Sequence, residues 1–282
     1  MSASHIRKAV VPVAGHGTRL RPLTNVIPKE MLPLGRKPTL EYIVEELHSV
    51  GVNCIIFVVS PTKPAIREHF GEKACEGRVD LKYVIQEEQN GLADAILHAE
   101  ELVGGDDFIV ALGDTVILSR REDHPLKRLL AACEASRSNS GIVVERVPAK
   151  DAFMYGIVKP VGDVTGEAFG IDGLVEKPSP GTAPSDFAIG GRYIFNSGIF
   201  DWIRKTSPGV GGELQITDSI GLSIKSGERV LCAPILDGEN RFDIGNFRVF
   251  CEAFTTVCMQ DEELAPSVVK AARNGLDRPN TD

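Results

Sequence analysis

Two glycines, a threonine and three cations stand close together near the start of the chain. Gly15-His16-Gly17-Thr18-Arg19 follows an apolar run over residues 9–13, and Arg21 and Lys29 come soon after. Glycines let backbone N–H groups approach phosphate oxygens, and cations neutralise the charge. A strand ending in such a loop is suited to hold a phosphorylated ligand. Residues 1–37 carry seven Lys or Arg against one acid, Glu30, whereas the whole chain of 282 residues has a net charge of −8. The segment is a basic island in an acidic protein. Taken alone, the glycine pair is equally compatible with a tight turn. A dinucleotide loop G-x-G-x-x-G would need glycine where Leu20 stands, and no G-x-x-x-x-G-K-[ST] loop is present there.

Two lone aspartates could complete such a site. Gly113-Asp114-Thr115 closes the apolar run 108–112, and Phe242-Asp243-Ile244-Gly245-Asn246 leads into a helical pattern. Two carboxylates meeting at a triphosphate suit Mg²⁺, a hard ion that takes oxygen ligands from carboxylates, phosphates and water. Each aspartate also has a plain reading, a turn or helix N-cap for Asp114 and an N-cap for Asp243. Asp106-Asp107 and Glu87-Glu88 read as solvated pairs. Glu176-Lys177-Pro178 ends another strand pattern, and the proline turns the chain out of it at Lys177. A surface lysine is the plain reading there. The six histidines are scattered, and His16 reads as a loop position rather than a catalyst.

These residues must be positioned by alternating elements. Strands are expected at 9–13, 54–59, 81–85 and 108–112, and helices at 40–50, 64–70 and 92–102. The run 54–59 is wholly apolar, as in a buried parallel strand. Such βα alternation predicts an α/β fold: a doubly wound, mostly parallel open sheet, Rossmann-like, with an added lobe. Ligands bind these sheets at the carboxyl ends of the strands, where the loops at Gly15, Gln86 and Asp114 would converge. The second half reads as strands at 142–147, 156–161, 173–176, 188–195 and 229–235, with helices at 198–205, 213–225 and 247–258. From residue 265 the chain reads as a polar tail that frays.

The joint pattern resembles the sugar-1-phosphate nucleotidylyltransferases over about residues 8–254. The residues that carry the resemblance are Gly15-His16-Gly17-Thr18-Arg19 and Pro28-Lys29-Glu30-Met31-Leu32-Pro33-Leu34. The wording IPKEMLPL is most similar to the bacterial UTP–glucose-1-phosphate uridylyltransferases. The resemblance implies a triphosphate over Ala14, Gly15, Gly17 and Thr18, with Arg19 and Lys29 on its phosphates. It implies Mg²⁺ on Asp114 and Asp243, and a base read by Gln86 and the backbone near Gly91. It implies a sugar on Tyr155, Gly156 and Glu176, with its phosphate on Lys177. Tyr155 could equally be a core aromatic, and the Gln86–Gly91 stretch an ordinary turn before a helix. Gly190-Gly191-Arg192-Tyr193 and the run from Gly211 to Asp218 match the uridylyltransferase branch without a clear physical role. The implied reaction is attack by glucose 1-phosphate on the α-phosphorus of UTP, giving UDP-glucose and pyrophosphate. A short 71–79 segment and the GLADA wording are similar instead to the thymidylyltransferase branch, so dTTP is the alternative. A non-catalytic sugar-nucleotide-binding subunit is the remoter one.

On this reading residues 1–282 form one domain. About 8–118 is the nucleotide-binding half, about 119–260 the sugar-phosphate-binding half, and 265–282 the tail. A composition of 43% hydrophobic and 25% charged residues is ordinary for a globular chain. No run approaches the ~18 apolar residues of a membrane span, and residues 1–5 lack a signal-peptide apolar core. The six cysteines show no zinc-like spacing, and Cys54, Cys133 and Cys251 are expected in the core. The expected setting is cytoplasmic, with no nucleic-acid or membrane partner. The resemblance implies a homodimer or homotetramer.

Overall fold

A computed structural model of the chain describes residues 5–162, 164 and 166–276. In chain order the first half contains β1 (Lys8–Pro12), β2 (Pro33–Leu34), β3 (Lys37–Pro38), α1 (Thr39–Ser49), β4 (Cys54–Val59), α2 (Pro64–Phe70), β5 (Lys73–Ala74), β6 (Val79–Ile85), α3 (Leu92–Leu97), α4 (Glu100–Val103), β7 (Phe108–Ala111) and β8 (Thr115–Ser119). The second half contains α5 (Pro125–Ser136), β9 (Ser140–Arg146), β10 (Gly156–Pro160), β11 (Phe169–Glu176), β12 (Phe187–Phe195), α6 (Ile199–Lys205), α7 (Ile216–Lys225), β13 (Val230–Pro234), β14 (Glu239–Asp243), α8 (Phe247–Gln260) and α9 (Ala265–Leu276).

Ten strands form one sheet in the order β10-β11-β13-β9-β12-β7-β1-β4-β6-β5. The first half behaves as the alternation predicts, with β7, β1, β4 and β6 parallel. The second half joins largely antiparallel, β12 lying between β7 and β9, so the complete sheet is mixed. Short strand-to-strand turns permit this, because an antiparallel neighbour needs no helical crossover. Helices cover both faces. Leu40, Ile43, Val44 and Leu47 of α1 share one face of the sheet with Leu126, Leu129 and Leu130 of α5. Ala93, Ile96, Phe200, Ile216 and Ile220 cover the other. The chain winds outward from β1 to β4 and β6, then returns to place β7 on the other side of β1. That reversal opens a crevice at the carboxyl ends of β1 and β7.

The expected helix over 92–102 is two helices, broken at His98 and Ala99. α5 has no counterpart in the sequence reading, although Pro125 follows His124, whose Nδ1 accepts the Leu126 N–H. The two-stranded ribbon of β8 and β14 is also new. The segment read as a tail begins with α9, and residues 277–282 lie outside the described residues. Cys251, expected in the core, is exposed, because Ala253, Val257 and Cys258 form the buried stripe of α8. Cys133 is buried, Cys54 is half-buried, and all six thiols are free. Among the described residues no helix is long and apolar enough to cross a membrane.

Candidate active site

The glycine loop leaves β1 at the crevice. Its carbonyl side is pinned by side chains. Lys63, at the start of α2, donates to the carbonyls of Val13, at 3.0 Å, and Gly15. Gln89 donates to the carbonyl of Ala14 at 3.2 Å. The N–H groups of Gly15, His16 and Gly17 make no hydrogen bond among the described residues. A loop with its carbonyls held and its N–H groups free has the donors an anion needs. Gly17 has φ 64, a conformation that favours glycine, and its carbonyl accepts from Thr24 Oγ1 at 2.8 Å. Thr18 and Arg19 then form a 3₁₀ turn anchored by fully buried Leu20.

Lys29 comes back beneath this loop. Its Nζ would lie 3.7 Å from a Cβ at Gly15, and it donates to Asp114 Oδ2 at 2.5 Å. Asp114 follows β7, so the pair spans the crevice. Burial opposes the charge of Lys29, but Asp114, Glu30 and Asp243 outweigh it and hold the ammonium well above its ordinary value. Lys63 and Glu30 form a second pair at 3.0 Å, with side chains only 10% and 2% exposed. Burial lowers the Lys63 ammonium and raises the Glu30 carboxyl, each opposed by the partner's charge.

The β8–β14 ribbon brings the second aspartate. Asp243 stands opposite Thr115, and the Ile244 N–H donates to the Asp114 carbonyl at 2.8 Å. Burial and then the charge of Asp114 raise the Asp243 carboxyl. Asp114 itself is held below the usual aspartate range, because Lys29 outweighs the effect of its burial. Two carboxylates that repel one another while flanked by cations fit a hard divalent ion. Among the described residues no group of three His, Cys, Asp or Glu could hold a metal, so the remaining ligands would have to come from phosphate and water.

A cleft of about 670 Å³ runs from Arg19 and Asp243 to Tyr155, Gly156, Glu176 and Lys177. Glu176 Oε2 accepts from Thr217 Oγ1 at 3.1 Å, and Lys177 Nζ lies 3.6 Å from Glu176 Oε1. A Cβ at Gly156 would meet Ile189, Thr217 and Glu176 within about 3 Å, so only glycine lets β10 approach so closely. The Lys177 N–H donates to the Tyr155 carbonyl at 3.0 Å.

Gln86 is set back from this cleft. It is 2% exposed and its amide donates to Asp94 Oδ2 at 2.6 Å. Gly91 has φ 111, and a Cβ there would come within 2.5 Å of the Leu214 carbonyl. The Leu214 N–H donates to Asn90 at 2.7 Å and its carbonyl accepts from Ala93 at 3.0 Å. The run from Gly211 to Asp218 therefore has a physical role: it clamps the Gly91 loop from outside. Gly190-Gly191 is explained too, since the register of β12 shifts there and Gly191, at φ 78, lines the cleft. Sequence reasoning missed Lys63, Thr217 and Arg241. Thr217 stood inside a motif already noted, whereas nothing in the spacing of Lys63 points back to residue 15.

The family description "Nucleotidyl transferase" matches residues 8–260. The UTP–glucose-1-phosphate uridylyltransferase of Mycoplasma pneumoniae is 38% identical over 94% of this chain and 97% of its own length. That of Bacillus subtilis is 36% identical over 94% and 95%. A UTP-bound UGPase structure from Acinetobacter baumannii superposes with a TM-score of 0.85 at 29% identity, covering 97% of this chain and all of the other. A UDP-glucose pyrophosphorylase complexed with UDP-glucose gives 0.81 at 30% identity, over 89% and 98%. With the match running from β1 to the end of α8, and with the same fold, the chain belongs to the nucleotidyl transferase family.

Proposed function

We propose that this protein is a UTP–glucose-1-phosphate uridylyltransferase. It joins the sugar phosphate to the α-phosphorus of UTP and releases pyrophosphate. The observation that carries this reading is the grouping of the glycine loop and the Lys29–Asp114 pair next to Arg19 and Asp243, which line one end of a cleft that also holds Glu176 and Lys177. The similarity to uridylyltransferases, and to structures bound to UTP and to UDP-glucose, supports the choice of substrates.

The chemistry asks for little proton transfer. A sugar phosphate is already ionised at neutral pH and needs no strong base. The obstacle is the approach of two anions, which repel by ~4 kcal/mol per pair of unit charges at 4 Å and an effective dielectric of ~20. Arg19 and Lys29 would bind the triphosphate and Lys177 the sugar phosphate, so that the two line up without that repulsion. Ala14, Gly15, Gly17 and Thr18 would cradle the phosphates, and Gln86 and Gly91 would frame the base. Tyr155, Gly156 and Glu176 would hold the sugar. Asp114 and Asp243 would hold Mg²⁺, which when bound neutralises charge on phosphate oxygens. Six free thiols support a reducing, cytoplasmic setting.

Pyrophosphate release, measured with UTP or dTTP against several sugar 1-phosphates, tests the reading. Turnover should be greatest with UTP and glucose 1-phosphate and should stop when chelator removes Mg²⁺. The bases differ by one methyl, worth about 1–3 kcal/mol of discrimination, so a preference for dTTP would overturn the substrate and keep the reaction. No turnover with any pair would overturn the reaction.

A further inference from the structure

Among the described residues three arginines have nearly buried side chains, and they differ in what they hold. Arg192 is 0% exposed; it binds both carboxylate oxygens of Glu46 and the carbonyls of Thr115 and Gly191. Arg128 is 3% exposed and binds both oxygens of Glu239 with the carbonyls of Pro234 and Asp123. Their guanidinium groups serve the fold. Arg241 is 7% exposed, yet the only hydrogen bond it donates among the described residues runs from Nε to Glu145, at 2.7 Å. Its two terminal nitrogens have no hydrogen-bond partner among the described residues, and neither is sealed away from solvent.

The fold aims this half-used guanidinium at the cleft. Arg241 and Asp243 are two residues apart on β14, so they project from the same face of the ribbon. Phe242 between them turns to the apolar cluster around Leu20 and Leu32. Arg241 lines the cleft with Tyr155, and its Cζ lies 5.7 Å from the centre of the Tyr155 ring. The Tyr155 backbone carbonyl holds the Lys177 N–H. Tyr155 therefore links the two residues, with the Arg241 guanidinium near its ring and the backbone N–H of Lys177 on its carbonyl.

We propose that Arg241 binds the phosphate of the sugar 1-phosphate, as a second cation beside Lys177. A guanidinium with one nitrogen fixed by a carboxylate is held rigid, and its remaining N–H groups match a phosphate in two-point contact. A lysine at 47% exposure supplies charge without orientation, whereas the buried fork supplies orientation. This assignment rests on the proposed reaction for the identity of the ligand.

The test uses the full chain as Arg241→Met and Arg241→Lys. Calorimetric titration with glucose 1-phosphate, with and without uridine present, should show affinity lost on the order of ten- to hundredfold in Arg241→Met. Arg241→Lys should recover part of it. The KM for UTP should change by less than about threefold in both. Unchanged glucose 1-phosphate binding in folded Arg241→Met overturns the assignment, as does a KM for UTP that rises by the same factor. If Arg241→Met unfolds because Glu145 loses its partner, the double variant Arg241→Met, Glu145→Gln carries the same measurement. Wild-type protein that binds glucose 1-phosphate but releases no pyrophosphate would sink the reaction, and the variants' affinity would still decide the role of Arg241. Wild-type protein that binds no glucose 1-phosphate would overturn the assignment as well.

Discussion

Where β1 and β7 meet the cleft, Lys29 already donates to Asp114 at 2.5 Å and Lys63 to Glu30 at 3.0 Å. Where β10, β11 and β14 meet it, Lys177 is 47% exposed and Arg241 has two free nitrogens. In the first region the lysines are fully engaged by carboxylates at hydrogen-bond distance; in the second, Lys177 stands 3.6 Å from Glu176 and Arg241 meets Glu145 through Nε alone, so donors are left over. This division suits two anionic substrates. On the proposed reading a triphosphate at the glycine loop would meet N–H groups whose geometry is fixed before binding, and fixed dipoles need no reorganisation. It would also meet an ion pair, Lys29–Asp114, whose members it would have to share. On the proposed reading the sugar phosphate would meet cations with N–H groups to spare. The lesson is that preorganisation on one side rests on buried charge pairs, which stabilise only while both partners are present.

Removing one partner of such a pair should therefore have the largest effect. Lys63→Met leaves Glu30 buried and the Val13 and Gly15 carbonyls without a donor, and should cost about 3–5 kcal/mol of stability. The measurement is the urea midpoint at constant slope. Adding Glu30→Gln should recover much of that loss. If Lys63→Met unfolds at the wild-type midpoint, the interlocked description of the β1–β7 side is wrong.

Function should break on both sides with smaller free-energy effects. Asp114→Ala and Lys177→Ala should each lower kcat/KM by on the order of a hundredfold or more, which is about 2.7 kcal/mol. Pyrophosphate release reads both. Wild-type rates for Asp114→Ala would show that the metal-binding aspartates have been misidentified.

Asp243 sharpens the contrast further, because its pairing is repulsive. Burial and the charge of Asp114 raise its carboxyl above the unfolded value. The fold therefore loses stability as pH rises from the ordinary aspartate range, about 3.9, through that raised value. Asp243→Asn removes the loss and should gain about 0.5–2 kcal/mol at neutral pH while metal affinity falls. The gain should fade below about pH 4, where the unfolded and folded carboxyls are both protonated. Thermal unfolding across pH checks the sign, and a gain independent of pH would refute the electrostatic cause.

How much of this was legible beforehand depends on sequence distance. The strands at 54–59 and the helix at 64–70 fall where apolar runs and Pro64 put them, because local pattern decides them. Lys29, Asp114 and Asp243 stood out by motif, but their meeting depends on the β8–β14 ribbon, whose short strands give little periodic signal. Lys63 was invisible because its partners, Val13, Gly15 and Glu30, lie 33 to 50 residues away across a crossover. Arg241 belongs to no motif in the sequence; only its bonds in three dimensions separate it from Arg128 and Arg192.

The smallest effect tests the open side most directly. Lys177 has φ 44, a left-handed conformation that costs a non-glycine residue roughly 1–2 kcal/mol. Glycine would remove that cost, but it returns about 0.5–1 kcal/mol through the freedom it gives the unfolded chain. Lys177→Gly should therefore raise stability by less than about 1 kcal/mol, with activity falling as far as in Lys177→Ala. Such a result would mean that the chain tolerates a strained lysine at the sheet mouth for what its ammonium does there. A clear loss of stability would instead make Lys177 a structural residue, and the two sides of the cleft would no longer differ in kind.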